Sequence, residues 1–196
     1  MAQRTIGLAD VLNFFEYEKV RDDVRRRVME LKRARRVHVG RYLQFLFENR
    51  DTVLFQIQEM CRAERITADA RIQEEIDAYA PLLPSPGELS ATMMIEIEDR
   101  LQIKPILDHY MGIDTGGHVA LYVGEHAIQA AFEAGRSDEE MGKISAVHFV
   151  RFALPDAAVR AFPAAEVFLA VDHHGERDRT PLSDETKAAL LQDLNS

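Results

Sequence analysis

The spacing of the apolar positions changes once along the chain, near its middle. Between Arg41 and Ile66 the apolar residues recur at steps of three and four, which predicts one long amphipathic helix. They are Leu43, Leu46, Phe47, Val53, Leu54, Ile57, Met60 and Cys61. From Ala91 to Glu98 the step is two, which predicts a half-buried strand. Residues 81–87 contain three prolines and a glycine and separate the two regions.

Shorter patterns predict the remaining elements. Helices are predicted over residues 11–32, 69–79 and 183–194, with a short helix or a loop over 101–110 and a short helix over 156–162. Strands are predicted over 118–123, 127–133, 144–152 and 167–171, and a charged loop over 172–179. Gly124 leaves only a tight connection between two of these strands, and parallel neighbours need a long crossover, so the strands are expected to be antiparallel.

These elements predict an α+β fold in which an N-terminal helical half, containing the long central helix, packs on a mainly antiparallel β-sheet with a C-terminal helix. The 196 residues fit a single domain, with a helical part over 1–80 and a sheet part with short helices over 88–196. The single cysteine, Cys61, excludes an intrachain disulfide, and we expect it to be buried. The chain has no signal-peptide pattern and no run of about 18 apolar residues, so we expect a cytoplasmic protein without a membrane segment.

Charge is distributed unevenly. The net charge of −9 argues against general nucleic-acid binding. Between Lys19 and Arg41, however, ten Lys or Arg residues accompany three Asp or Glu residues. This basic segment is interpreted as a solvated face that pairs with the acidic remainder of the chain or with a second subunit, as in a homo-oligomer. The alternative is a docking site for an acidic partner or a polyphosphate.

A first candidate site lies on the predicted central helix. Arg50 interrupts its apolar stripe, and a buried guanidinium needs a carboxylate, for which Glu96 and Glu98 are candidates. One interpretation is an ion-pair network that holds the helix to the sheet. The other is a ligand anchored in a cleft between helix and sheet. The ligand-binding residues would then be Arg50, Glu59, Arg62 and Glu96.

A second candidate site is a metal site at Asp172 and His173, where a strand ends. Both side chains are ligands for first-row metals. His173 and His174 point to opposite faces of a strand unless the chain bends, so further ligands are sought at His118, His126, His148 or a distant acid. A solvated loop is the alternative interpretation. No nucleophile motif or phosphate-binding loop is present, so no catalytic residue is assigned, no cofactor is identified, and the question of enzyme activity stays open.

Several segments resemble an uncharacterised bacterial family, domain of unknown function 3501. The resemblance rests on residues 35–40, 47–53, 56–60, 62–64, 88–92 and 171–173, read as RRVHVG, FENRDTV, QIQEM, RAE, ELSAT and VDH. Members of that family are often encoded beside rubrerythrin-like and iron–sulfur oxidoreductases, which implies a link to redox or peroxide-stress physiology. The family has no established functional residues to carry over.

Two hypotheses follow. The first is an accessory or interaction protein, expected to be a homo-oligomer, that contacts an oxidoreductase partner through the basic segment and the central helix. The second is a small-molecule- or metal-binding protein, and so a candidate enzyme, with its site in the cleft between helix and sheet. That site would use Arg50, Glu59, Asp172 and His173.

Overall fold

A computed structural model of the chain describes residues 5–138 and 142–195. The helices are α1 Phe14–Arg33, α2 Arg50–Ala63, α3 Asp69–Tyr79, α4 Ile103–His109, α5 Asp156–Ala161 and α6 Asp184–Leu194. The strands are β1 Arg36–Val39, β2 Leu43–Glu48, β3 Glu88–Ile95, β4 Val119–Val123, β5 His126–Gln129, β6 Ala131–Phe132, β7 Ser137–Asp138, β8 Lys143–Ile144, β9 Val147–Ala153, β10 Val167–His173 and β11 Glu176–Pro181. None of the helices in the described residues is long and apolar enough to cross a membrane.

The longer strands form two antiparallel sheets that face each other. One sheet has the order β1-β2-β3-β9-β6 and the other has the order β11-β10-β4-β5, while β7 and β8 form a separate small hairpin. Every strand pair in the described residues is antiparallel. The α+β class, the antiparallel sheets and the C-terminal helix are therefore confirmed.

The main hydrophobic core fills the space between the two sheets. Phe45, Phe47 and Phe152 face it from the five-stranded sheet, and Leu121 and Leu169 face it from the four-stranded sheet; all five are fully buried. Residues 126–132 join the sheets along one side, because β5 pairs with β4 and β6 pairs with β9. On the opposite side the hydroxyl of Thr180 donates to the carbonyl of His38 at 2.6 Å. The sheets thus form one closed sandwich.

A second core lies outside the five-stranded sheet, under the N-terminal helices. Val53, Ile57 and Cys61 of α2 pack against Ile72 and Ile76 of α3. Cys61 is buried, as expected, and burial raises the pKa of its thiol. Phe149 of β9 packs on the same cluster from the sheet. The helices therefore cover one outer face of the sandwich.

The predicted helix over residues 41–66 is wrong in its first third. Leu43–Glu48 is a strand whose six residues are all buried, since one face meets the core and the other meets the helices. A strand covered on both faces carries no alternation of apolar and polar residues, so its apolar positions imitated a helical period. The helix begins only at Arg50, where the side chain of Asn49 accepts from the amide of Thr52 and caps it. Residues 1–80 are consequently not purely helical.

The predicted charged loop over residues 172–179 is also wrong. Strand β10 continues to His173, the chain turns at His174 and Gly175, and β11 returns from Glu176. Both turn residues have positive φ, 47° and 82°, as the tight hairpin turns that suit twisted strands require. Strand β11 is at the edge of its sheet and is mostly exposed, and its first four residues are all charged, so it gives no apolar pattern.

Candidate functional site

Arg50 lies among the N-terminal helices α1, α2 and α3, which we call the helical layer. It does not lie beside Glu96 and Glu98. Its Nη2 is 2.5 Å from Oδ1 of Asp10, and its Nε donates to the carbonyl of Thr5 at 3.2 Å. The hydrogen bond from the Gly7 amide, followed by that from Arg50, lowers the pKa of Asp10. The carboxylate that Arg50 needs is therefore Asp10, and the expected partners Glu96 and Glu98 do not fill this role.

Glu59 and Arg62 lie on the same helix and pair with α1. Glu59 accepts from the hydroxyl of Tyr17 at 2.7 Å and from Nε and Nη2 of Arg21, each at 2.8 Å. The Arg21 hydrogen bonds are the main cause of the lowered pKa of Glu59. Arg62 Nε is 2.5 Å from Oε1 of Glu18. These pairs fasten α2 to α1, so they support the ion-pair interpretation, with α1 and not the sheet as the partner.

Glu96 lies apart from those three residues. Glu96 directly follows strand β3, and its Oε2 is 3.5 Å from Nε2 of His38. Both side chains are about half exposed or more. The four proposed ligand-binding residues are therefore not brought together, and none of the contacts described for Arg50 or Glu59 involves Asp172 or His173. Ligand binding by this set stays a prediction.

Four histidines meet where β4 begins and β10 ends. We call His109, His118, His173 and His174 the histidine cluster. The ring of His173 lies 4.1 Å from that of His174, 4.6 Å from that of His118 and 6.4 Å from that of His109, measured between centroids. The rings of His109 and His174 are 6.0 Å apart. The turn at His174 bends the chain, so two successive imidazoles lie side by side although strand geometry alone would separate them.

His173 is the centre of the cluster and has no conventional hydrogen bond. Its side chain is 2% exposed, and neither ring nitrogen has a partner at normal hydrogen-bond geometry. Burial, followed by the neighbouring His174 and His118, lowers the pKa of His173 to about 4, while a contact with the His109 backbone opposes this only in part. A buried polar atom without a partner costs about 1–3 kcal/mol, so two on one ring mark His173 as a candidate binding residue.

One other histidine of the cluster, His118, is oriented in the way that metal ligands usually are. A ligating imidazole commonly donates its second N–H to a carbonyl or a carboxylate. His118 donates from Nδ1 to the carbonyl of Asp172 at 2.9 Å, which leaves its Nε2 available. His109 Nε2 lies 3.3 Å from Oε2 of Glu176, close but not aligned as a hydrogen bond, so the ring of His109 is near a carboxylate that does not fix its orientation.

Asp172 itself faces away from the cluster. Its carboxylate is exposed and pairs with Nε of Arg177 at 3.0 Å, so only its carbonyl contributes, by orienting His118. Across residues 5–138 and 142–195, no group of three or more His, Cys, Asp or Glu side chains is already placed to hold a metal ion. The imidazoles are gathered, and an ion would require the rings to turn towards one point.

Tyr110 closes the buried side of the cluster. Its ring stacks on His173 with centroids 6.1 Å apart and 16° between the planes. Burial is the main cause that raises the pKa of Tyr110 to about 12, so the phenol keeps its proton at neutral pH. The tyrosine thus excludes water from one face of His173.

The other histidines named from the sequence lie elsewhere. His126 begins β5 and pairs with Val123, away from the cluster. His148 is fully buried on β9, donates from Nε2 to the carbonyl of Ser145 at 2.8 Å, and has its Nδ1 3.7 Å from Oδ2 of Asp114. Neither His148 Nδ1 nor Asp114 Oδ1 has a hydrogen-bond partner. Burial is the main cause that lowers the pKa of His148.

Sequence reasoning found His173 and named His118 among the further ligands, but it missed His109. That residue lies at the end of a short helix, 64 positions before His173, and no local motif links the two. For His173 and His174 a local signal did exist. The His-Gly pair at 174–175 suits a tight hairpin turn, and such a turn allows two adjacent histidines to lie on the same side.

The fold and the site define a two-sheet α+β protein with four histidines gathered at one end, of which His173 is buried. The chain belongs to the family described as "Protein of unknown function (DUF3501)", which matches residues 5–194. It is also similar to the crystal structure of a novel protein of unknown function from Burkholderia pseudomallei. The two chains share 34% identity with a TM-score of 0.89, over 97% of this chain and 99% of that one. No curated protein gives a significant match.

Proposed function

We propose that the protein binds one first-row divalent transition-metal ion, with zinc as the reference ion, through His109, His118 and His173. His174 lies beside the site as a fourth imidazole. The observation that carries the proposal is His173, a buried imidazole with two unpartnered nitrogens facing three other imidazoles. Of the metal pair predicted from the sequence, this proposal retains His173 as a ligand. His118 takes the place of the Asp172 carboxylate.

The chemistry of the cluster selects the class of ion. Neutral imidazole suits zinc, copper, nickel and cobalt, whereas magnesium and calcium prefer carboxylate and carbonyl oxygens. Because the pKa of His173 is about 4, protons do not compete for this ring at neutral pH. The Glu176 carboxylate beside His109 adds negative charge that offsets part of the charge of the ion.

The spacing of the rings supports a shared ion. Imidazoles bound to one zinc ion at about 2.1 Å from each nitrogen have centroids roughly 5 Å apart. The centroid distances from His173 to His118 and from His173 to His109, 4.6 and 6.4 Å, bracket that value. Binding would require the rings to turn towards one point.

Calorimetric titration of the full chain with Zn²⁺, Ni²⁺ and Mg²⁺, after removal of adventitious metal, tests the proposal. We expect stoichiometric binding of Zn²⁺ and Ni²⁺ and none of Mg²⁺. His173→Ala should weaken zinc binding by at least about 100-fold, because it removes the central ligand. His126→Ala is the matched control and should bind like the unmodified protein. Equal zinc affinity in the two variants, or no binding by the unmodified chain, would overturn the proposal.

The accessory role, the oxidoreductase partner, the homo-oligomer and the cytoplasmic location stay predictions. The resemblance to the family supports the redox link, and the basic segment supports a partner surface. Native mass spectrometry of the purified chain tests the oligomer directly, and the same spectrum reports bound metal. The ligand-binding set Arg50, Glu59, Arg62 and Glu96 also stays a prediction, and its ion pairs must open before it can bind anything.

A further inference from the structure

The segment between two histidines of the cluster has an unusual composition. Residues 110–117 connect His109 at the end of α4 to His118 at the start of β4, and three of these eight residues are glycines. Gly112, Gly116 and Gly117 have φ of 84°, 100° and 80°. Glycine loses more conformational freedom on folding than any other residue, so holding this segment in one conformation is costly.

The middle of the segment reaches into the sandwich. Ile113 is fully buried in the main core, and the next residue, Asp114, extends its carboxylate towards His148 on β9. The two side chains are nearly or fully buried, yet Asp114 Oδ1 and His148 Nδ1 lack partners and the nearest approach is 3.7 Å. The pair is assembled but is not joined by a direct hydrogen bond.

We propose, on the basis of the proposed metal site, that an ion in the histidine cluster clips together both ends of segment 110–117 and thereby holds Asp114 against His148. His109 and His118 are the residues on either side of the segment, so one ion bound to both closes a short loop. A metal clip that closes a loop removes chain entropy that the loop would otherwise keep. The buried pair and the surface cluster are then two parts of one regulated element.

Linkage requires the effect to run in both directions. If the ion favours the conformation in which Asp114 meets His148, then loss of that contact must weaken ion binding by the same factor. Asp114 lies outside the proposed ligand set, so its effect on affinity would come through the segment. It is a positioning residue in this scheme.

Hydrogen exchange measured by mass spectrometry on the full chain, with and without Zn²⁺, is the first test. We expect slower exchange in peptides covering residues 110–117 when zinc is bound, and unchanged exchange in peptides from α3, which does not contact the cluster. Zinc binding with no change in segment 110–117 would overturn the inference while leaving the metal site intact. Absence of zinc binding would instead overturn the proposed function, so the two failures are distinguishable.

A matched pair of variants gives the second test. Asp114→Asn should weaken zinc binding by roughly fivefold or more, within the usual range of coupling between sites. Asp156→Asn makes the same charge change at an exposed position on α5 and should leave the affinity unchanged. Equal affinities in the two folded variants would overturn the inference. If circular dichroism shows that Asp114→Asn does not fold, the exchange experiment on the unmodified chain decides alone.

Discussion

The helical layer and the histidine cluster both place polar side chains in poorly solvated surroundings. The two regions differ in the hydrogen bonds that these side chains make. In the helical layer Glu59 receives three hydrogen bonds, and the amide of Gln58 both accepts from and donates to the backbone of Leu12, at 2.8 and 2.9 Å. In the cluster, His173 has two unpartnered nitrogens.

The difference separates structural polar groups from candidate binding groups. A satisfied network stabilises the arrangement of elements and needs nothing further. A buried group that the rest of the protein leaves unpartnered lowers stability, so it is a candidate for binding a ligand. By this criterion the charged residues of α2 hold helices together, and the histidine cluster is the candidate binding site.

The pH dependence of stability should show the largest contrast between the two regions. The folded pKa of His173 is about 4, below the unfolded value of about 6.5. Between these values the unfolded chain takes up a proton that the folded chain excludes, so stability falls as the pH is lowered from 7 to 4. In metal-free protein the loss from this group should approach 3 kcal/mol.

Urea unfolding at pH 7 and pH 4 measures this loss. His173→Gln should lose about 3 kcal/mol less than the unmodified chain between these pH values, whereas the control His126→Gln should follow the unmodified chain. Glu59 and Asp10 also contribute less to stability in acid. Each has a folded pKa below its unfolded pKa, so its contribution is present above the unfolded pKa and is lost as the pH falls towards the folded pKa. That loss is common to all three proteins and cancels. Parallel curves for His173→Gln and the unmodified chain would refute the assignment.

Removing the charge of Glu59 should give the next largest effect. Glu59→Gln loses the paired hydrogen bonds to Arg21 and leaves that guanidinium partly buried without its carboxylate. We expect a loss of about 2 kcal/mol in the free energy of unfolding at pH 7. Glu64→Gln, at the exposed end of the same helix, is the control and should change stability by less than about 0.5 kcal/mol. Zinc affinity should be the same in both variants.

The smallest effect is expected at the hairpin turn. In the described residues only His174 and Arg65 combine a side chain with positive φ, at 47° and 54°. Asparagine tolerates this conformation better, so His174→Asn and Arg65→Asn should each stabilise the metal-free protein by about 0.5 kcal/mol in urea unfolding. Only His174→Asn should weaken zinc binding, by several-fold. If Arg65→Asn also lowers the affinity for zinc, the loss in His174→Asn cannot be assigned to the hairpin turn.

The sequence predicts an element where one face is buried and the other is more exposed, as in α1, α3, β10 and α6. It misleads for β2, which is covered on both faces, and for β11, which is exposed at an edge, because neither carries a periodic pattern. The candidate site was predicted only in part, because one of its residues also lacks a local pattern. His173 follows a recognisable strand, but His109 joins it only through the packing of α4 on the end of the sandwich.

The order of the strands sets the time at which the cluster can form during synthesis. Strands β10 and β11, which carry His173 and Glu176, are the last strands of the chain, and the contact between His38 and Thr180 spans 142 positions. Contacts so distant in sequence form slowly compared with local ones. The histidine cluster therefore cannot form until the residues of β10 have been synthesised, after those of the N-terminal helices. An ion bound by the cluster would be acquired after the N-terminal helices have been synthesised and would not guide the folding of those helices.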